Sequence, residues 1–377
     1  MTNDRFTTPG ILIQSRTRVL FGHGKLAELG ALAKREGAGR VLLVTDPGIV
    51  RTGHVERATR SLQDAGLAVA VFDGVAENPT TDHVDAGVRA AREHNIDFLI
   101  GLGGGSAMDC AKGINFILTN GGVMSDYWGV GKATQTMLPM IAVPTTAGTG
   151  SEAQSFALIC DPVTRQKMAC GDVKAACRWA ILDSDLTATQ PPMVAAATGI
   201  DALSHAVETS ATTRRNEISL EFSRQAWARL DGAYERAMRD PADRDARSEM
   251  LLGAHLAGAA IEHSMLGAAH ACANPLTARL GTVHGVAIGI LLPHVVRFNT
   301  RNGVNPYAPL SDDPEQLAKR IETLVQVGGL PRRLSECNVP EPLLPTLAAE
   351  AAKQWTTTFN PQPVGVQELL EVYRSAH

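Results

Sequence analysis

The chain has 377 residues, 44% hydrophobic and 20% charged, with a formal net charge of −4. Those values exclude a dominantly disordered chain, and with no long Lys/Arg run to follow a phosphate backbone, no nucleic-acid partner is expected. The Met1–Gly10 stretch is polar, no apolar run reaches the roughly 18 residues of a membrane span, and the six cysteines form no Cys-x-x-Cys pair, so a reduced, cytoplasmic, non-membrane protein is expected.

A chain of this length exceeds the size at which single cores stop growing, so two domains of roughly 150 to 200 residues with a cleft between them are expected. From Arg40 to about Asp185, short β-rich runs alternate with helical stretches. RVLLVT (40–45), AVAVFD (68–73), DFLIGLG (97–103), MIAVPTT (140–146) and WAILD (179–183) read as strands, with Thr17 to Phe21 as one more. Gly53 to Gly66 and Thr81 to His94 have the length of crossover helices, so the reading is a parallel sheet in an α/β domain. Beyond Pro191-Pro192 the β-branched runs thin out and helical spacing dominates. The expected division is residues 1–188, an α/β domain, and 189–377, an all-α domain.

Gly101-Leu102-Gly103-Gly104-Gly105-Ser106 follows an apolar strand and leads into a helical stretch, Ala107 to Leu118. With Ser106 as N-cap, the free amides and the positive end of the helix dipole would face a phosphate or pyrophosphate. Such a turn is also often just a tight connection, and its spacing fits neither G-x-G-x-x-G nor the P-loop. Two further polar groups sit at strand ends: Asp46, and Thr145, Thr146 and Thr149 with their neighbouring glycines and Ser151. Ligands of open α/β sheets bind there, and an acid at that place favours NAD over NADP. The alternative for Asp46 is a turn residue before Pro47.

Asp201 and His205, four apart in a helical stretch, share one face. Such a pair is commonly a simple hydrogen bond, but a carboxylate among Ala, Leu, Ile and Val needs a compensating cation or strong donors. A second group follows in His263-x6-His270-x13-His284, and six of the eleven histidines fall between His205 and His294. A carboxylate with imidazoles suits Zn²⁺ or Fe²⁺ rather than Mg²⁺ or Ca²⁺. His255 and His294 are read as packed or capping side chains.

Asn78-Pro79-Thr80, GGGSAMDCAK (103–112), PTTAGTGSE (144–152), ATGIDALSHAVE (197–208) and HGVAIGILLPHVVRFN (284–299) together resemble the iron-containing (group III) alcohol dehydrogenases. That family includes lactaldehyde reductase, also called 1,2-propanediol oxidoreductase. The resemblance implies a Rossmann-like dinucleotide-binding domain, a helical, dehydroquinate synthase-like domain, a catalytic metal between them, and a homodimer or larger homo-oligomer. On it, Asp201, His205, His270 and His284 fall on the four ligand positions, and Asp46 on the NAD-selecting one. Gly104, Gly105 and Ser106 fall on the pyrophosphate loop, and Asn78, Asp109, Thr145, Thr146, Thr149 and Lys167 on further cofactor positions.

Two residues depart from the family pattern. Asn274 stands where a histidine is usual near the nicotinamide, and His263 where an asparagine is usual, as if the pair were exchanged. Helical spacing would put 263, 270 and 274 on one face, so His263 and Asn274 are candidate catalytic residues, with His263 restoring a titratable group. Gln362 also replaces the Arg that often follows Asn360-Pro361.

The implied reaction is hydride transfer between a small alcohol or aldehyde and NAD, with Fe²⁺ or Zn²⁺ polarising the oxygen. Rival readings are a hydroxyacid–oxoacid transhydrogenase, a reductase of an anionic aldehyde using Arg214, Arg215 or Arg279, and a nucleotide- or metal-binding sensor without catalysis.

Overall fold

The computed structural model describes residues 16–164 and 166–377; the polar Met1–Gly10 stretch lies outside them. Among the described residues, nine strands form two sheets: β1 (Arg18–Phe21), β2 (Arg40–Val44), β3 (Ala68–Phe72), β4 (Phe98–Gly103), β5 (Gly129–Val130), β6 (Met140–Pro144), β7 (Phe156–Cys160), β8 (Lys167–Gly171) and β9 (Trp179–Leu182). The larger sheet has the order β1-β9-β6-β4-β2-β3, and every pairing in it is parallel.

Helices cover both faces of this sheet, which is why its strands read as near-continuous apolar runs. Val41, Leu43, Phe98, Ile100, Ile141 and Val143 pack on one side against α1 (Leu29–Arg35) and α3 (His54–Asp64), with the short α2 (Pro47–Arg51) preceding α3. The alternate residues Leu42, Val44, Leu99, Met140 and Ala142 pack on the other side against α4 (Thr81–Glu93) and α5 (Gly105–Asn120). The two-residue alternation of side chains across a strand thus divides one sheet between two cores.

The smaller sheet, β5-β8-β7, was not expected. Its β7 and β8 pair antiparallel around a turn in which Asp161 Oδ1 accepts from Val163 N and Thr164 N at 2.9 and 2.7 Å.

The last strand ends at Leu182 and, after a short 3-10 turn at Leu186–Thr189, the next α-helix begins at Pro192. From there the chain is helical: α6 (Pro192–Ala211), α7 (Glu217–Arg239), α8 (Arg244–His263), α9 (Ala268–Leu280), α10 (His284–Thr300), α11 (Pro314–Val327), α12 (Leu344–Ala351) and α13 (Val366–Ala376). Helix α6 is buried nearly all round, since it is rich in Ala and carries small residues where neighbours approach. It forms the axis of a third core with Leu230, Tyr234, Leu251, Ile288 and Leu291. No helix among the described residues is long and apolar enough to cross a membrane.

Candidate active site

From β2 the chain turns to β3 on one side and returns through β4 on the other, so the carboxyl ends of β2 and β4 border a switch point, where open parallel sheets bind ligands. Asp46 stands at the end of β2. Its Oδ1 caps α2, accepting from Gly48 N at 2.8 Å and Ile49 N at 3.1 Å. Its Oδ2 faces the glycine loop, 3.4 Å from where a Cβ on Gly103 would stand. The turn role, the alternative for this acid, therefore uses one oxygen and leaves the other on the crevice.

Helix α5 starts at Gly105 with Gly104 as its N-cap, so the expected cap at Ser106 is displaced by two residues. The extended backbone of Gly104, φ −76° and ψ −173°, makes the entry, and Ser106 lies inside the first turn. The free amides still open on the crevice. Thr146 packs on Gly104, and Thr149 so closely on Gly105 that a Cβ there would lie 2.8 Å away. Thr145 N donates to Gly103 O at 2.9 Å, while its buried Oγ1 has no partner. Asn78, with φ +52°, turns the loop into α4, and the Pro79 carbonyl accepts from Cys160 N at 2.8 Å.

Asp109, expected among the cofactor contacts, is turned into the fold. Its Oδ1 accepts from Ser151 Oγ at 2.6 Å, and burial raises its carboxyl above the ordinary range, with Lys112 opposing. Lys112 is wholly buried and donates to Ser151 O, Ser151 Oγ and Phe156 O at 2.7, 2.9 and 2.9 Å. This ammonium ties α5 to the threonine loop and to β7. Lys167, first in β8, lies close enough to both Asp109 and His284 to favour the anionic carboxylate and the neutral imidazole.

Four residues of the helical half converge across from this crevice. Asp201 and His205 lie one turn apart on α6, His270 is third in α9, and His284 is first in α10. Helix α10 starts against α6 because Gly285 lacks a side chain: a Cβ there would stand 1.9 Å from Ala197 O. The Nε2 atoms of His205, His270 and His284 lie 3.4, 3.5 and 3.7 Å from Asp201 Oδ1. Asp201, His270 and His284 offer ligand atoms all within 4.8 Å of one another, and His205 Nε2 is 3.2 Å from His270 Nε2. The His284 side chain is 29% exposed against 8% for Asp201, so the cluster opens on its His284 side.

Charge in the cluster is strongly coupled. Burial opposes ionisation of Asp201, but the surrounding histidines outweigh it and hold the carboxyl far below its usual range. Burial pulls His205 down and takes His284 down to about 3, whereas for His270 it is outweighed by Glu208 and Asp201, which push the ring up to about 9. Asp201 Oδ1 is nevertheless buried without a hydrogen-bond partner. An orphaned carboxylate oxygen ringed by three imidazole nitrogens is the donor set that a borderline divalent cation takes, so the residues fit a metal ion.

His263 and His270 do not share a helix. Helix α8 ends at His263, Ser264 leaves helical geometry with ψ −122°, and α9 restarts at Ala268. The expected common face for 263, 270 and 274 is thus lost between 263 and 270, and holds only for 270 and 274. The half-buried His263 ring stacks on Phe222 with centroids 5.8 Å apart, and Asn274 Nδ2 donates to Gln354 Oε1 at 3.2 Å. His255 is buried against Glu152, as a packed histidine should be, with Nδ1 and Oε1 3.2 Å apart. Sequence reasoning missed Glu208, Lys112 and Asn360, each of which binds a site segment. Glu208 had a signal: with Asp201 and His205 it completes an i, i+4, i+7 stripe on α6.

The class the structure defines is a parallel-sheet domain with a crevice at its switch point, facing a helical domain with a buried carboxylate–imidazole cluster. The profile described as "Iron-containing alcohol dehydrogenase" matches residues 16–184, and that described as "Fe-containing alcohol dehydrogenase family, C-terminal" matches residues 195–377. Alcohol dehydrogenase 4 of Schizosaccharomyces pombe is 35% identical over 367 residues, covering 95% of this chain and 87% of the relative. The NAD-dependent methanol dehydrogenase of Bacillus methanolicus is 30% identical over 370 residues, covering 95% and 97%. The crystal structure of a 1,3-propanediol oxidoreductase superposes with a TM-score of 0.91 at 30% identity, covering 97% of this chain and all of the other. The chain belongs to the iron-containing alcohol dehydrogenase family and is an alcohol dehydrogenase.

Proposed function

We propose that the enzyme is NAD-linked and metal-dependent and interconverts a small alcohol and its aldehyde. The observation that carries this reading is the orphaned Asp201 Oδ1 ringed by three imidazole Nε2 atoms. Asp201, His205, His270 and His284 would hold Fe²⁺ or Zn²⁺, since nitrogen-rich sites take both. A bound ion supplies Lewis acidity there, lowering the pKa of an alcohol and polarising a carbonyl. Gly104, Gly105, Ser106 and the first amides of α5 receive the pyrophosphate, Thr145, Thr146 and Thr149 line its path, and Lys167 and Asn78 border it. Asp109, through Ser151, keeps the threonine loop in place for it. The free Oδ2 of Asp46 takes a ribose hydroxyl and repels a 2′-phosphate, which favours NAD. A dinucleotide held by these residues would supply the hydride acceptor for the alcohol, or the hydride donor for the aldehyde.

In this reading residues 1–188 hold the nucleotide and 189–377 the metal. Asn274, one turn beyond His270, is a neutral neighbour of the reacting groups, and His263 exchanges the proton with solvent. The six cysteines are all free thiols, which supports a cytoplasmic setting. Assembly as a homodimer or larger homo-oligomer is part of the proposal and is read by light scattering. An anionic aldehyde is a poorer fit: Arg279 is paired with Glu350, and Arg215 Nη1 donates to the Ala211 and Pro306 carbonyls.

The test is a panel of C2 to C4 alcohols, diols, aldehydes and hydroxy acids with free NAD⁺ or NADH after loading with Fe²⁺ or Zn²⁺. The expected result is turnover of small alcohols or aldehydes, and Asp201→Ala losing metal and activity together. Turnover by metal-free enzyme refutes the metal reading. Hydride exchange without free NAD turnover points to a transhydrogenase, and no turnover of any substrate to a sensor.

A further inference from the structure

The helix that carries His270 begins without a cap of its own. Gly267 precedes α9 and offers no side chain, so the first amides of the helix find acceptors elsewhere. Ala268 N donates to Asn360 Oδ1 at 3.2 Å, and Ala269 N donates to Glu208 Oε1 at 2.8 Å. The other oxygen of Glu208, Oε2, lies 2.5 Å from His270 Nδ1. Glu208 is only 3% exposed and stands on α6, the helix that also carries Asp201 and His205.

We infer that Glu208 is a positioning residue that fixes both the protonated nitrogen and the placement of His270 for the metal ion. The inference rests on the metal reading of the Asp201 cluster. With Glu208 as the acceptor at both oxygens, from Ala269 N and from His270, the ring hydrogen lies on Nδ1. Nε2, which faces Asp201 Oδ1 at 3.5 Å and His205 Nε2 at 3.2 Å, then presents its lone pair to the ion. The same carboxylate, with Asn360, caps the helix and sets where its third residue lies. Glutamine cannot do both. It has one acceptor oxygen, so either the Ala269 amide or His270 Nδ1–H would meet an NH2 group. If Glu208 merely joined α6 to α9, its substitution would lower stability and leave metal affinity unchanged.

The test compares Zn²⁺ affinity of the metal-free full chain, Glu208→Gln and Asp201→Ala by competition with a chromogenic chelator, with circular dichroism as the check on folding. Glu208→Gln should bind Zn²⁺ about 10- to 100-fold more weakly, the usual effect of losing a carboxylate partner of a ligating histidine. An affinity unchanged from the parent overturns the inference, while an unchanged Asp201→Ala overturns the metal reading beneath it. Should Glu208→Gln fail to fold, long-range ¹H–¹⁵N spectra of the histidine-labelled, zinc-loaded parent decide. His270 ligated through Nε2 with hydrogen on Nδ1 supports the inference, and ligation through Nδ1 overturns it.

Discussion

One methyl group added at Gly258 should loosen the join between the two halves of the enzyme. Gly258 lies inside α8 and faces Gly150, on the loop after β6. A Cβ there would stand 2.4 Å from Gly150 O and 2.7 Å from Gly150 Cα. Both are backbone atoms, so no rotamer change relieves the clash. Overpacking of this kind costs about 1–3 kcal/mol, against the roughly 1 kcal/mol that alanine gains over glycine in a helix interior. Contacts this short belong at the upper end of that range, which leaves a net loss of about 2 kcal/mol. At roughly 2–4 °C per kcal/mol for a domain of 150–250 residues, Tm falls by about 4–8 °C. Gly232 supplies the control. It lies inside α7 with nothing within 4 Å of its Cβ position, so Gly232→Ala should raise Tm by about 2–4 °C, the helix-propensity gain alone. Scanning calorimetry reads both, and the KM for NADH should rise in Gly258→Ala because Gly150 ends the threonine loop. A Gly258→Ala enzyme that melts at or above the parent, with Gly232→Ala behaving as stated, would refute the steric argument.

Asp46→Ala should raise kcat/KM for NADPH relative to NADH roughly tenfold or more, since a carboxylate about 4 Å from a phosphate is worth about 1–4 kcal/mol; an unchanged ratio in steady-state assays removes Asp46 from cofactor selection. Lys112→Met should destabilise the protein by about 3–5 kcal/mol, the cost of stripping one partner from a buried charge pair, and a urea midpoint equal to the parent's contradicts the role assigned to this ammonium. Burial holds the His54 ring below its ordinary pKa despite its bond to the Leu186 carbonyl at 3.2 Å. The unfolded chain therefore takes up that proton first, so stability is intact above about pH 6.5 and declines as pH falls below it toward the folded value. His54→Gln should flatten the Tm-against-pH slope in that window, and an identical slope shows that His54 does not set it.

Every strand of the parallel sheet was legible in the sequence: burial on both faces leaves continuous apolar runs such as RVLLV and FLIGLG in the central strands, and the half-exposed edge strands β1 and β3 still carry apolar runs, VLF and AVAVF. The smaller sheet was not. Its FALIC and KMACG strands alternate buried and half-buried positions over only five residues each, and two strands pairing across a turn look like loop in a single sequence. Asp201 and His205 were readable from helical spacing, as was the convergence of His270 and His284 from the family resemblance. What failed was the extension of one helical period through residues 264–267, where Gly267 and a non-helical Ser264 break the helix. The cap at Ser106 failed for a related reason: three glycines in a row leave the helix free to begin two residues early. Lys112 was invisible because its three acceptors come from Ser151 and Phe156, about forty residues away.

Helices α6, α9 and α10, which carry the Asp201 cluster, all belong to the helical half, and the glycine and threonine loops all belong to the other. The two ligands of the enzyme would thus be separately owned. Opening the cleft to exchange spent dinucleotide would strain no bond to the ion, so a bound metal would have the standing of a permanent fitting and a bound nucleotide that of a visitor.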